Sequence, residues 1–178
     1  MRNYFLKSVR LGFDVWNAQD FDLAGRLWGD SDVTRFNGGP LTPTQVRERL
    51  SREIANHEGH GIQYWPIFLL RTGEHVGCCG LQPRSPNDGI YELGFHLRKM
   101  FWGQDFGREA AEAVIGHAFS TLGMRGLFAG HNPENEASRR ILVRLGFQYT
   151  HHEFYPPTAQ VEPCYLLRNE DYYRNLRP

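Results

Sequence analysis

The sequence predicts a single α+β domain over residues 1–178, with a mixed, mostly antiparallel sheet of about seven strands flanked by about four helices. Three observations carry that prediction. Three short β-rich runs follow one another between Tyr64 and Leu97, joined by Arg71-Thr72-Gly73-Glu74 and by the turn-rich link Pro83 to Gly89, which is the pattern of an antiparallel meander. A single strand–helix–strand stretch then runs from Tyr91 to His131, and a crossover of that length is what parallel neighbours require. Finally, a chain of 178 residues suits one buried core, and no internal repeat divides it.

The elements follow in order. Leu6 to Val15 alternates loosely and reads as a first strand, and Asp20 stands where an N-cap would open a short helix to Trp28, broken by Gly29. Thr42, Pro43 and Gln45 form a capping box with proline at the first helical position, so a helix starts at Pro43 and runs to about His57. Its apolar positions Val46, Leu50 and Ile54 make one stripe. After the Gly59 and Gly61 loop come strands Tyr64 to Leu70, His75 to Leu81 and Ile90 to Leu97. From Gly107, small and apolar residues at Ala110, Ala111, Val114, Ile115, Ala118, Phe119 and Leu122 give the spacing of a helix packed on a sheet, ended by Gly123. Leu127 to His131 is a short strand, Asn132 to Asn135 a turn, and Glu136 to Leu145 a second helix with Gly146 placed as its left-handed cap. Phe147 to Phe154 and Cys164 to Arg168 are the last strands, separated by a loop at Pro156-Pro157.

Composition narrows the function classes. Lys plus Arg equal Asp plus Glu at 20 each, so no global field draws in nucleic acid or an anionic membrane, and neither is expected as a partner. No apolar run approaches the ~20 residues of a membrane span, and the first residues lack the hydrophobic region of a signal peptide, so a cytoplasmic protein is expected. The three cysteines, Cys78, Cys79 and Cys164, fit neither a disulfide framework nor a Cys-x-x-Cys site and read as buried thiols. His57 with His60, and His151 with His152, lack Cys or His partners at ligand spacing, so no metal is expected. The absence of a Gly-x-Ser-x-Gly elbow argues against a serine hydrolase.

The busiest stretch is Phe101-Trp102-Gly103-Gln104-Asp105-Phe106-Gly107-Arg108-Glu109-Ala110-Ala111. A strand gives way to a glycine-bearing turn and at once to a helix, so backbone N–H groups gather at a helix start, which is a seat for phosphate. Trp102 and Phe106 flank it, either as core packing or as an apolar wall.

Taken together, Tyr91-Glu92-Leu93-Gly94-Phe95, Phe101-Trp102-Gly103, Gly107-Arg108-Glu109-Ala110, Asn132-Pro133-Glu134-Asn135-Glu136-Ala137-Ser138 and Leu145-Gly146-Phe147 resemble a GNAT-fold N-acetyltransferase, and more narrowly the branch of the ribosomal-protein alanine acetyltransferases. The likeness covers nearly the whole chain. It implies acetyl-coenzyme A as co-substrate and a primary amine as acceptor, either a protein N-terminus or a small molecule, on a monomer or homodimer. By resemblance Gly103, Gln104, Asp105, Phe106, Gly107 and Arg108 hold the pyrophosphate, while Phe95, His96 and Leu97 offer a strand edge to the pantetheine arm. Asn135 resembles the asparagine near the pantetheine, though it suits an N-cap equally, and Ser138 the serine beside the departing sulfur. Glu92 is the first candidate for general base, acting through water, with His96 and His131 as runners-up. The chain departs from the family pattern twice. Asp105 replaces a usual glycine, and two like charges at ~4 Å repel by roughly 1 kcal/mol in water, so its carboxylate must face solvent or cap the helix. Leu142 stands where many members carry a tyrosine acid. Both departures motivate a second reading, a non-catalytic acyl-coenzyme A-binding module.

Overall fold

The structure, a computed structural model, describes residues 2–175. Eight strands form one sheet, one more than expected: β1 Leu6–Lys7, β2 Leu11–Phe13, β3 Tyr64–Leu69, β4 His75–Ser85, β5 Ile90–Leu97, β6 Gly126–Gly130, β7 Gln148–Tyr155 and β8 Gln160–Arg168. Their order is β1-β2-β3-β4-β5-β6-β8-β7, antiparallel except for β5 beside β6. The helices are α1 Phe21–Trp28, α2 Ser31–Thr34, α3 Pro43–His60, α4 Phe106–Ser120, α5 Glu136–Arg144 and α6 Asn169–Asn175. Among the described residues no helix is long and apolar enough to cross a membrane.

Strand alternation gives the sheet two faces, each with its own core. On one, Leu11, Trp65, Ile67, Leu81, Leu93 and Leu127 pack against Ala110, Ala111, Val114 and Ala118 of α4, whose small side chains let the helix come close. On the other, Tyr64 and Cys78 meet Trp28 of α1 and Val46 and Leu50 of α3. Burying one such leucine contributes about 1.5–3 kcal/mol. The Thr42 cap forms as its sequence requires, with Thr42 Oγ1 accepting from Gln45 N–H and Gln45 Oε1 from Thr42 N–H.

Several elements differ from the sequence reading, each for a traceable reason. Leu6 to Val15 is a small hairpin rather than one strand, because the Glu109 carboxylate of α4 draws out its middle, taking Ser8 Oγ at 2.6 Å, Arg10 N–H at 2.7 Å and Arg10 Nε at 2.6 Å. Asp20 makes no cap bond to α1; the chain turns helical earlier, at a 3₁₀ turn from Ala18 to Asp20 capped by Asn17, and Asp20 closes that capping box while pairing with Arg2. α3 continues to His60 and stops at Gly61, which takes the left-handed conformation at φ 70°. β4 runs on to Ser85 through Pro83, where an irregularity in the register accommodates a residue without an N–H. β8 begins at Gln160, and α2 and α6 were not anticipated.

One feature of the sheet positions everything that follows. β5 and β6 are paired only through Ile90, Tyr91 and Glu92 against Gly126, Leu127 and Phe128. Beyond Glu92 the two strands part, and β5 continues with β4 as its sole partner.

Candidate active site

The opening between β5 and β6 leads from an exposed turn to a buried cleft. At the turn, Gly103 and Asp105 adopt positive φ, 72° and 66°, and α4 begins at Phe106. The first hydrogen bond back into the turn is Glu109 N–H to Asp105 O at 3.1 Å, and the N–H groups of Gly103, Gln104, Asp105, Phe106, Gly107 and Arg108 find no acceptor among the described residues. A run of free donors at the positive end of a helix is a ready anion seat. Gly107 permits close packing there: a Cβ would meet Ile141 Cδ1 at 3.3 Å, Leu97 Cδ1 at 3.4 Å and Phe95 Cε2 at 3.5 Å.

Asp105 does not cap the helix. Its Oδ2 accepts from Arg108 Nε at 2.9 Å and Nη2 at 2.5 Å on the exposed side, and that bond holds the carboxyl below its ordinary range. The charge is thus matched by a neighbour, and Asp tolerates the left-handed conformation better than most residues. Arg108 is in turn engaged by Glu112, so its side chain is committed while its N–H stays free. Phe106 is core, edge-on to Phe101 and covered by the Arg10 guanidinium at 4.2 Å, whereas Trp102 is exposed and donates Nε1–H to Leu97 O at 2.8 Å.

Register decides which groups line the open edge. Arg98 N–H bonds Val76 O on β4, and successive residues of a strand turn their polar groups to opposite sides, so Phe95 and Leu97 face the opening while the His96 backbone belongs to β4. The His96 side chain enters the cleft instead, where Nδ1 accepts from Trp28 Nε1–H at 3.0 Å. Burial, helped by Arg49, lowers its pKa to about 3. The Nδ1 lone pair is thus taken and burial opposes protonation, both of which weigh against His96 as a base.

The cleft, about 600 Å³, is the size of a small-molecule site. Glu92, Asn135, Ser138, His131 and His96 all line it, so the fold brings together residues far apart in sequence. Burial raises the proton affinity of the Glu92 carboxyl, against the opposing pull of Arg84 and Arg49. The Tyr64 hydroxyl stands beside it; burial keeps this phenol protonated, and Gly94 makes room, since a Cβ there would lie 2.2 Å from Tyr64 Oη. Asn135 caps α5, its Oδ1 accepting from Ser138 N–H at 3.2 Å, and leaves Nδ2 for the cleft. His131 is buried, with Nδ1 bonded to Asn132 O at 2.8 Å. Leu142 is buried at the cleft wall, so no tyrosine acid arises there.

Sequence reasoning missed Tyr64, Trp28 and Arg49, which read as core or surface until the sheet and α3 are assembled. It also read His151 as lacking a cysteine nearby. Cross-strand pairing puts His151 opposite Cys164, with Glu153 on the same face, and their ligand atoms lie within 4.8 Å. Arg84 pairs with Glu153 at this point, stacked on Phe128 at 4.3 Å.

Comparison with known proteins agrees with this geometry. Residues 10–148 match the family described as Acetyltransferase (GNAT) domain. The uncharacterized N-acetyltransferase YoaA of Bacillus subtilis (strain 168) is 32% identical over 148 residues, 80% of this chain and 82% of that protein. The uncharacterized N-acetyltransferase p20 of Bacillus licheniformis is 30% identical over 146 residues, with the same two coverages of 80% and 82%. Among solved structures, the GNAT-family acetyltransferase from Bacillus anthracis superposes with a TM-score of 0.80 at 20% identity, over 93% of this chain and 98% of its own. RimL, a ribosomal alpha-N-protein acetyltransferase, does so at 0.80 and 16% identity, over 94% and 95%. At those identities the likeness is one of fold. With the family match over most of the chain, the conclusion is plain: this protein belongs to the GNAT acetyltransferase family and is an acetyl-coenzyme A-dependent N-acetyltransferase.

Proposed function

We propose that the protein moves the acetyl group of acetyl-coenzyme A directly to a primary amine in the cleft beside Glu92. The observation that carries this is the parting of β5 from β6 after Glu92, which leaves an unpaired strand edge running from a free N–H cluster to a carboxylate of raised proton affinity. The pyrophosphate sits on the N–H groups of residues 103–108, and the pantetheine arm lies along Phe95 and Leu97 as an added strand would. The amine nitrogen forms a bond to the thioester carbonyl carbon, the C–S bond breaks, and the thiolate leaves with the coenzyme. Glu92 takes the amine proton, directly or through a water, and burial suits it to that task because a base works best with a pKa near the operating pH. Ser138, whose hydroxyl has no acceptor among the described residues, donates to the departing sulfur.

The binding-module alternative rested on Asp105 and Leu142. Asp105 is turned outward onto Arg108, so half of its motive is gone. Titration calorimetry with acetyl-coenzyme A, followed by coenzyme A release in the presence of an amine panel, tests the proposal. Binding with amine-dependent release is the expected result. Binding with no release from any amine would favour the module, and no binding would remove both.

A further inference from the structure

The acceptor end of the cleft contains a device that acetyl transfer alone does not use. Arg49 of α3 retains 18% of its side-chain exposure. Its Nε donates to Glu53 Oε1 at 2.8 Å, and Nη2 lies 2.8 Å from the same oxygen without making a well-aligned bond. Glu53 is fully buried and is itself held by Tyr64 N–H at 2.8 Å and Gln82 Nε2 at 3.0 Å. The guanidinium also lies over the rings of Trp28, at 5.2 Å, and Tyr64, at 5.3 Å. The fork is therefore fixed in place. A buried ion pair is a weak stabilising device, because removing two charges from water offsets most of their attraction, and apolar residues would fill the space as well. A locked guanidinium in a cleft wall serves recognition better than it serves folding. Arg52, three residues on along α3, lines the same cleft and pairs with no carboxylate among the described residues.

The sheet side carries the opposite charge. Glu92 on β5 and Glu162 on β8 line the cleft, and neither is in an ion pair; Glu162 is 8% exposed and accepts only from Thr158 Oγ1, at 3.4 Å. Glu153, between them, is already matched by Arg84. Tyr64 spans the two sides, its ring against Arg49 and its hydroxyl beside Glu92. With Arg49 matched by Glu53 and Arg84 by Glu153, the charges left over are Arg52 on the helix side and Glu92 and Glu162 on the sheet side.

We infer that the acceptor is an amino carboxylate, bound with its amine toward Glu92 and its carboxylate on Arg52 and on Nη1 of Arg49, the one guanidinium nitrogen not turned onto Glu53. Arg49 is already matched by Glu53, but Arg52 has no carboxylate partner among the described residues, so a plain amine would leave that guanidinium without a counter-charge and a polyamine would set like charge against it. A carboxylate can accept a charge-assisted hydrogen bond from each of the two guanidinium groups. The inference rests on the acetyl-transfer reading above, and in that reaction the carboxylate is a handle only: it leaves unchanged in the N-acetyl amino acid product.

The test compares kcat/KM for sets of acceptors that differ only in this group: an amino acid, its amide and its decarboxylated amine. The amino acid is expected to be preferred by about ten- to a hundredfold, the range of a charged hydrogen-bonded contact, with most of the difference in KM. Arg52→Ala and Arg49→Lys should each shrink that ratio. Because Arg49→Met alone would strand Glu53, the paired change R49M with E53Q removes both charges together and should shrink the ratio furthest. Equal use of amide, amine and amino acid by the wild-type protein overturns the inference while leaving acetyl transfer intact. No turnover with any amine, despite bound acetyl-coenzyme A, overturns it together with the transfer reading.

Discussion

The two ends of the cleft are built by different means. The proposed coenzyme end is made of backbone: free N–H groups from Gly103 to Arg108 and the β5 edge at Phe95 and Leu97, where only the Leu97 carbonyl is taken, by Trp102, with the side chains of Asp105 and Arg108 turned away onto each other. The proposed acceptor end is made of side chains: Glu92, Tyr64, Arg49, His96 and Glu162 are drawn from four elements and set by burial and mutual contact. A backbone site tolerates changes of side chain and is broken by changes of conformation. A side-chain site behaves in the reverse way, and substitutions at the two ends should separate accordingly.

The largest expected effect is at the acceptor end. Glu92→Gln should lower kcat/KM by about 10²–10⁴-fold, the usual contribution of a positioned base, while calorimetry shows acetyl-coenzyme A binding as before. In the unchanged protein, kcat/KM should rise with pH through a limb above the ordinary carboxylate range, since burial raises the Glu92 pKa and only the ionised form accepts a proton. That limb should vanish in the variant. Equal losses of turnover and coenzyme affinity would mean that the two ends are not separate.

Next comes a change of conformation at the coenzyme end. Asp105→Pro forces φ to about −65° where the turn requires 66°, and it removes one N–H, so acetyl-coenzyme A affinity should fall tenfold or more, on the order of 1–3 kcal/mol. Circular dichroism would check that the fold remains.

Stability against acid should fall mainly on the acceptor end. His96 is depressed to about 3 from the ordinary histidine value of 6.5, so the unfolded chain binds the proton more tightly: its contribution is fully present above 6.5 and is lost as pH falls toward 3. The loss is at most about 1.4 kcal/mol per pH unit. Buried His75, lowered to about 4, acts in the same direction. Urea midpoints at pH 7 and pH 5 should therefore differ, and His96→Gln, which keeps an acceptor for Trp28, should reduce the difference without abolishing it.

The smallest effect is expected from Asp105→Gly. It deletes an exposed, neutralised carboxylate and keeps the left-handed conformation, so acetyl-coenzyme A affinity should stay within about twofold, the scale of surface ion pairs. The contrast between glycine and proline at one position is the sharpest measure of a backbone site.

This division also explains what could be read in advance. Local chemistry announces the Thr42 capping box, the α4 pattern from Ala110 to Phe119 and the turn at Gly103, and these formed where expected. The break at Ser8 to Arg10 did not announce itself, because its cause is Glu109, about a hundred residues away. Nor did the acceptor wall. Arg49 resembles any polar residue on the outer side of a helix until Glu53, Trp28 and Tyr64 close around it. The extension of β4 into Pro83-Arg84-Ser85 was hidden by turn-prone composition that the strand absorbs as an irregularity.

The short seam between β5 and β6 has a mechanical consequence. Apart from the helices packed across it, the sheet is stitched at its middle by three residue pairs, so its halves, β1 to β5 and β6 to β8, meet along a natural hinge line. A co-substrate lying in the gap would act as a splint across that line, and resistance to unfolding should grow with the logarithm of the free co-substrate concentration. At a hundred times the dissociation constant the added resistance to unfolding is about 2.7 kcal/mol, so the coenzyme pool itself would set how robust this protein is.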